Sequence, residues 1–122
     1  MIEVICDTNF LIHLATKRIK NFDIFDIQMG SLKFLVPLVV EFELIQLKTN
    51  KEKQIEIQKT LDYIKNFDRI PISGTYADKE IINFIKLNRS FVGTMDKELK
   101  LLIKKNGSSI ISFNNDFMIL ES

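Results

Sequence analysis

The stretch IEVICDTNFL, residues 2–11, decides how the chain is to be read. Ile2–Cys6 is a short β-rich run and predicts a strand. Asp7, Thr8 and Asn9 interrupt it with polar side chains, and Phe10, Leu11, Leu14 and Ala15 then recur at helical spacing. A strand, a polar turn and a helix in direct succession open a βαβ unit.

The same alternation continues to the far end. A short helix is expected over Asn21–Met29, closed by Gly30, and a second strand over Lys33–Val36. Pro37 suits the first turn of the next helix, where its missing N–H costs nothing, and that helix should reach about Leu47. A lysine-rich helix is expected from about Lys51 to Phe67, with Ile57, Leu61, Ile64 and Phe67 on one stripe. Arg69–Ile72 reads as a short strand. A helix from Thr75 to about Asn88 carries Ile81, Ile82 and Ile85 as its core face. Ser90–Thr94 is a strand, Asp96–Lys105 a helix stopped by Gly107, Ser109–Phe113 a strand and Phe117–Leu120 an added edge strand. Strands alternating with helices of ten or more residues imply a parallel sheet with helices on both faces. The expected fold is a Rossmann-like α/β three-layer sandwich, residues 1–122 forming one domain around a mainly parallel sheet of 4–5 strands.

Bulk properties narrow the function. The chain has 122 residues, 46% apolar and 27% charged, with a net charge of +1, which fits one folded domain. That charge neither demands nor forbids nucleic acid. The single Cys6 cannot close an internal disulfide and predicts a cytoplasmic protein with a buried, inert thiol. No apolar run approaches the roughly 20 residues of a membrane span. Glu3 and Asp7 near the start argue against a secretion signal. No Gly-rich turn follows the first strand, which argues against dinucleotide binding.

In a doubly wound sheet, sites form at the carboxyl ends of strands where strand order reverses. Asp7 and Asp96 each follow a strand and would project from one edge. Glu41 and Asp78 lie early in helices, and Glu98 stands two residues beyond Asp96. Each has a local reading. Asp7 and Asp96 can cap helices, Thr75 and Asp78 have capping-box spacing, and Glu41 can be an exposed helix carboxylate. Against that, Asp7, Glu41 and Asp96 sit in apolar sequence. Buried carboxylates repel unless a cation joins them, and carboxylate ligands select Mg²⁺ or Mn²⁺. One His13 and one Cys6 supply no zinc set; His13 is expected to pack or lie on the surface.

With these residues in place, the sequence resembles the PIN-domain nucleases. CDTNFL (6–11), VVEFEL (39–44), GTYADKEI (74–81) and GTMDKELKLLIKKNG (93–107) match the family's acidic blocks in order. The last two are most similar to the branch that processes small-subunit ribosomal RNA and to its archaeal relatives. The resemblance implies a PIN-like fold and a metal-dependent endoribonuclease leaving 5′-phosphate and 3′-hydroxyl ends. It makes Asp7, Glu41, Asp78 and Asp96 the metal-binding and catalytic acids, with Glu98 a further ligand where many members carry aspartate. Thr8, Asn9 and Thr94 would orient the carboxylates. Lys79 stands where that branch often has an acid, which weakens a second metal site or supplies a phosphate contact.

Single-stranded RNA is the implied substrate. Lysines at the rim would offset repulsion between the acids and its backbone. Lys48, Lys79, Lys97 and Lys100 are the main candidates, with Lys51, Lys53, Lys104 and Lys105 beside them. The phenylalanines are assigned mostly to the core, with no clustered aromatic motif for stacking. Relatives commonly dimerise, and a ribosome-assembly factor or an antitoxin is the partner class implied. Three other readings stay open: an RNA-bound scaffold without turnover, a VapC-like toxin ribonuclease, and a phosphohydrolase using Asp7 as nucleophile. The last normally shows a second aspartate where Asn9 stands.

Overall fold

The computed structural model describes residues 1–121. The elements in chain order are β1 (Ile2–Cys6), α1 (Thr8–Thr16), α2 (Phe22–Met29), β2 (Leu32–Pro37), α3 (Leu38–Leu47), α4 (Gln54–Tyr63), β3 (Asp68–Ile70), α5 (Ala77–Leu87), β4 (Phe91–Gly93), α6 (Lys97–Lys105), β5 (Ser109–Asn114) and β6 (Phe117–Glu121). They form one sheet in the order β3-β2-β1-β4-β5-β6. β1 to β5 run parallel, and β6 returns antiparallel to β5.

The sheet has six strands, against the 4–5 expected from sequence. The sixth is the edge strand expected over Phe117–Leu120, which returns antiparallel to β5 through a two-residue turn. Asn115 and Asp116 adopt φ 50 and 63, the left-handed pair that a tight hairpin needs and that Asn and Asp tolerate.

Other boundaries moved for identifiable reasons. The helix expected over 51–67 is shorter at both ends. At its start the Asn50 side chain accepts from Glu52 N–H, closing a turn. At its end the Arg69 guanidinium takes the carbonyls of Ile64 and Phe67 at 2.9 and 2.6 Å, terminating the ladder. The helix expected from Thr75 starts at Ala77, and no side chain caps it. Pro37 ends β2 and is the N-cap of α3, one residue before the helical position expected. Gly30 closes α2 in the left-handed conformation, φ 85, as anticipated.

Buried apolar side chains from every layer join in one core. Right-handed crossovers place α1 to α4 on one face and α5 and α6 on the other; α1 packs on α3 and α4, α5 packs on α6, and α3 also touches α5. All the phenylalanines except Phe42 and Phe117 lie in or against the core. Gly93 permits the closest approach. A Cβ there would stand 2.8 Å from the Phe10 ring, so β4 and α1 meet only because residue 93 lacks a side chain.

Candidate active site

The chain leaves β1, builds outward through β2 and β3, then returns to β4 on β1's other side. The order of strands therefore reverses between β1 and β4. Cys6 and Gly93 pair in register, so Asp7 and Thr94 emerge side by side at the carboxyl edge. Asp7 N–H donates to Gly93 O at 2.9 Å, which fixes the departure of the chain from β1.

Asp7 is only 9% exposed. Its Oδ1 accepts from Thr8 N–H at 2.8 Å, and its Oδ2 accepts from the Thr94 hydroxyl at 3.1 Å. The fully buried Thr94 oxygen in turn accepts from Asp96 N–H at 3.1 Å. Thr94 thus ties the first acid to the backbone of the last. Burial pushes the Asp7 carboxyl above its ordinary range; the hydrogen bonds from Thr8 and Thr94 oppose this, and the charges of Glu43 and Asp96 add to it. An acid held ionised in this position needs compensating positive charge.

The remaining acids divide. Asp96 caps α6, its Oδ1 accepting from Glu98 N–H at 2.9 Å and Leu99 N–H at 3.1 Å. The capping reading is true of it, and of Asp7 as N-cap of α1, yet neither cap uses all of its carboxylate. Asp96, Asp78 and Glu98 line one cleft of about 670 Å³ between α5 and α6. Asp78 Oδ1 accepts from Lys79 N–H at 2.9 Å, so the capping-box bond expected from Thr75 is not made.

Glu41 does not join them. Both its oxygens are taken by Arg69, from Nε at 3.1 Å and Nη2 at 2.8 Å. The acid of α3 whose charge reaches Asp7 is Glu43. Two residues on a helix are about 200° apart, so these glutamates face different sides. The missed signal was in the sequence: Val39, Val40, Leu44 and Leu47 form the inward stripe, and Glu43 falls on it at i+4 from Val39. An acid on an otherwise apolar stripe is a better ligand candidate than one beside it. Among the described residues no three His, Cys, Asp or Glu side chains form a ready-made cage. Thr8, next to Asp7 in the chain, has a buried Oγ1 without a hydrogen-bond partner.

Asn9 is exposed, and none of the side-chain hydrogen bonds among the described residues joins it to a carboxylate; Thr94 orients Asp7 instead. The lysines also separate. Lys79 lines the cleft, and so do Lys86, Lys105, Asn83 and Asn106. Lys86 escaped sequence reading because only the packing of α5 on α6 brings it there. Lys97 is exposed in the first turn of α6. Lys100 is committed to Glu121 at 2.6 Å, which draws it to β6 and away from the rim. Lys48 closes the far end of α3, beside Gln54, Gln58 and Lys59. His13 packs as expected, stacked on Phe113 and 2.9 Å from Asp116. Burial drives the Cys6 thiol far above its ordinary range.

The geometry defines a class: an α/β domain with the buried Asp7 at the switch point of a parallel sheet and a cleft between α5 and α6 lined by Asp78, Asp96, Glu98 and three lysines. The chain belongs to the PIN-like domain family, whose model matches residues 4–115. It is 34% identical over 119 residues to Ribonuclease VapC4 of Methanocaldococcus jannaschii, covering 91% of this chain and 89% of that protein. Its fold is similar to that of the PIN domain endonuclease Utp24, with a TM-score of 0.77 and 28% identity over 98% of this chain and 90% of the other.

Proposed function

We propose that the protein is a Mg²⁺- or Mn²⁺-dependent endoribonuclease that hydrolyses single-stranded RNA. The observation that carries this reading is the buried Asp7, held by Thr94 and subject to the negative charges of Glu43 and Asp96. The donor set is all oxygen, which fits a hard divalent ion. Such an ion, when bound, neutralises phosphate charge and eases deprotonation of the attacking water.

The residues proposed to hold it are Asp7, Asp96 and Glu43, with Asp78 and Glu98 contributing from the cleft wall. Glu43 replaces Glu41 in this set, since the carboxylate of Glu41 is already satisfied by Arg69. Thr94 fixes the orientation of Asp7 through Oδ2, and each Asp7 oxygen keeps a lone pair beyond its one hydrogen bond for a cation. Lys79, Lys86 and Lys105 would bind phosphates on either side of the scissile bond, giving position and salt dependence without sequence choice. Asn83 and Asn106 offer neutral hydrogen bonds in the same cleft.

The test is cleavage of an end-labelled single-stranded RNA with Mn²⁺, with EDTA and with the Asp7→Asn and Asp96→Asn variants. Cleavage by the wild type that EDTA and both substitutions abolish is the expected result. Cleavage surviving Asp7→Asn would sink the assignment. A role in ribosomal-RNA processing is separated from that of a toxin by whether expression arrests growth and a neighbouring gene relieves it.

A further inference from the structure

The loop from α1 to α2 carries three cations in four residues, Lys17, Arg18 and Lys20, all exposed. It is pinned to the β5–β6 hairpin. Lys20 N–H donates to Asp116 O at 2.9 Å. The Asn21 side-chain amide donates to Met118 O at 2.9 Å and accepts from Met118 N–H at 2.7 Å, pairing as a neighbouring strand would. His13 Nε2 lies 2.9 Å from Asp116 Oδ1 at the hairpin tip. The hairpin presents Phe117, 44% exposed, with the Lys20 ammonium 5.5 Å from its ring centroid. An exposed ring among cations on a braced support is what single-stranded nucleic acid needs: charge neutralisation along the backbone and a face for a base to stack on.

The position suits the same substrate. Cys6, Gly93 and Ile111 lie at one level across β1, β4 and β5. Asn115 therefore extends three residues further than Asp7, about 10 Å, and stands two strands to the side, again about 10 Å. The hairpin tip is thus on the order of 14 Å from the acids at the same sheet edge, a span of a few nucleotides. It lies on the side away from the α5–α6 cleft, since α1 and α2 cover the opposite face.

We infer that Lys17, Arg18, Lys20 and Phe117 form a second contact surface for single-stranded RNA, gripping the strand a few nucleotides from the bond to be cut. This rests on the nuclease reading above, and the experiment separates the two. Cleavage kinetics are measured with a short RNA limited to the acids and the cleft and with one several nucleotides longer. Binding of the longer RNA is measured by fluorescence anisotropy in the Asp7→Asn background. For the longer RNA, the triple variant Lys17→Ala, Arg18→Ala, Lys20→Ala is expected to raise KM about tenfold with kcat unchanged. It should also flatten the slope of log affinity against log salt by about 2, near 0.7 per lost phosphate contact. Phe117→Ala should raise KM about fivefold for the longer RNA and leave the short one unaffected. All four side chains are exposed, and the Lys20 bond to the hairpin is made by its backbone, so folding is retained; thermal melts confirm it.

Unchanged KM and an unchanged salt slope in the triple variant overturn the inference while leaving the nuclease reading intact. A wild type that leaves RNA uncut overturns the nuclease reading, and the anisotropy arm then decides the surface by the same salt slope. Polyglutamate competing as well as an RNA of equal charge would reassign the patch to acidic proteins and overturn the inference.

Discussion

The glutamates of α3 offer the sharpest test of how the site is built. Glu41 and Glu43 are chemically identical and two residues apart, and the structure gives them different surroundings: Arg69 holds Glu41, while the charge of Glu43 acts on Asp7. Glu41→Gln removes one charge from a bidentate pair with Arg69, whose side chains are 30% and 29% exposed. Charge-assisted hydrogen bonds contribute about 1.5–3 kcal/mol when well sheltered. Here solvent competes, and Arg69 keeps the Ile64 and Phe67 carbonyls as acceptors, so a loss of about 1–2 kcal/mol is expected. For a domain of this size that lowers Tm by roughly 3–8 °C, with cleavage within about threefold of wild type. Glu43→Gln should do the reverse. Losing a residue that merely supports a metal ligand costs about 10–100-fold, and losing a ligand should cost at least the upper value. Without metal its Tm should hold or rise, because a charge that opposes Asp7 ionisation is gone. The assays are cleavage across a Mn²⁺ titration and thermal unfolding in EDTA. If Glu41→Gln abolished cleavage at unchanged Tm while Glu43→Gln remained active, the division of labour drawn from Arg69 would be refuted.

Three further outcomes are expected. The folded state raises the Asp7 pKa, so it binds that proton more tightly than the unfolded chain; in EDTA, stability should therefore decline as pH climbs from the ordinary carboxylate range through the raised value, then level off. Asp7→Asn should remove that component, melt higher than wild type at neutral pH in EDTA, and gain nothing from Mn²⁺; melts that track wild type in both respects would contradict it. Gly93→Ala forces a methyl to within 2.8 Å of the Phe10 ring, and Phe10 is itself stacked 4.8 Å from Phe113. Overpacking of this kind costs about 1–3 kcal/mol, read as a lower urea midpoint, and an unchanged midpoint would show that α1 shifts freely. Cys6 is fully buried with its thiol pushed up, so a thiol reagent should label it only at the rate of unfolding; fast labelling of native protein would contradict the packing of β1.

Much of this protein is written locally. The strand–turn–helix alternation, the left-handed Gly30 and the cap residues Asp7 and Asp96 depend on neighbours in sequence, and all lie where the residue pattern puts them. Even Glu43 was legible, as the one acid on the inward stripe of α3. What the chain alone did not disclose depends on partners far away in sequence. Arg69 comes from β3, 28 residues on, to pair with Glu41 of α3. Glu121 takes Lys100 from the rim. The packing of α5 on α6 creates the cleft and recruits Lys86. Periodicity reports which face of an element is buried. Only tertiary packing decides which charge meets which, because Coulomb attraction and desolvation act through space and not along the chain.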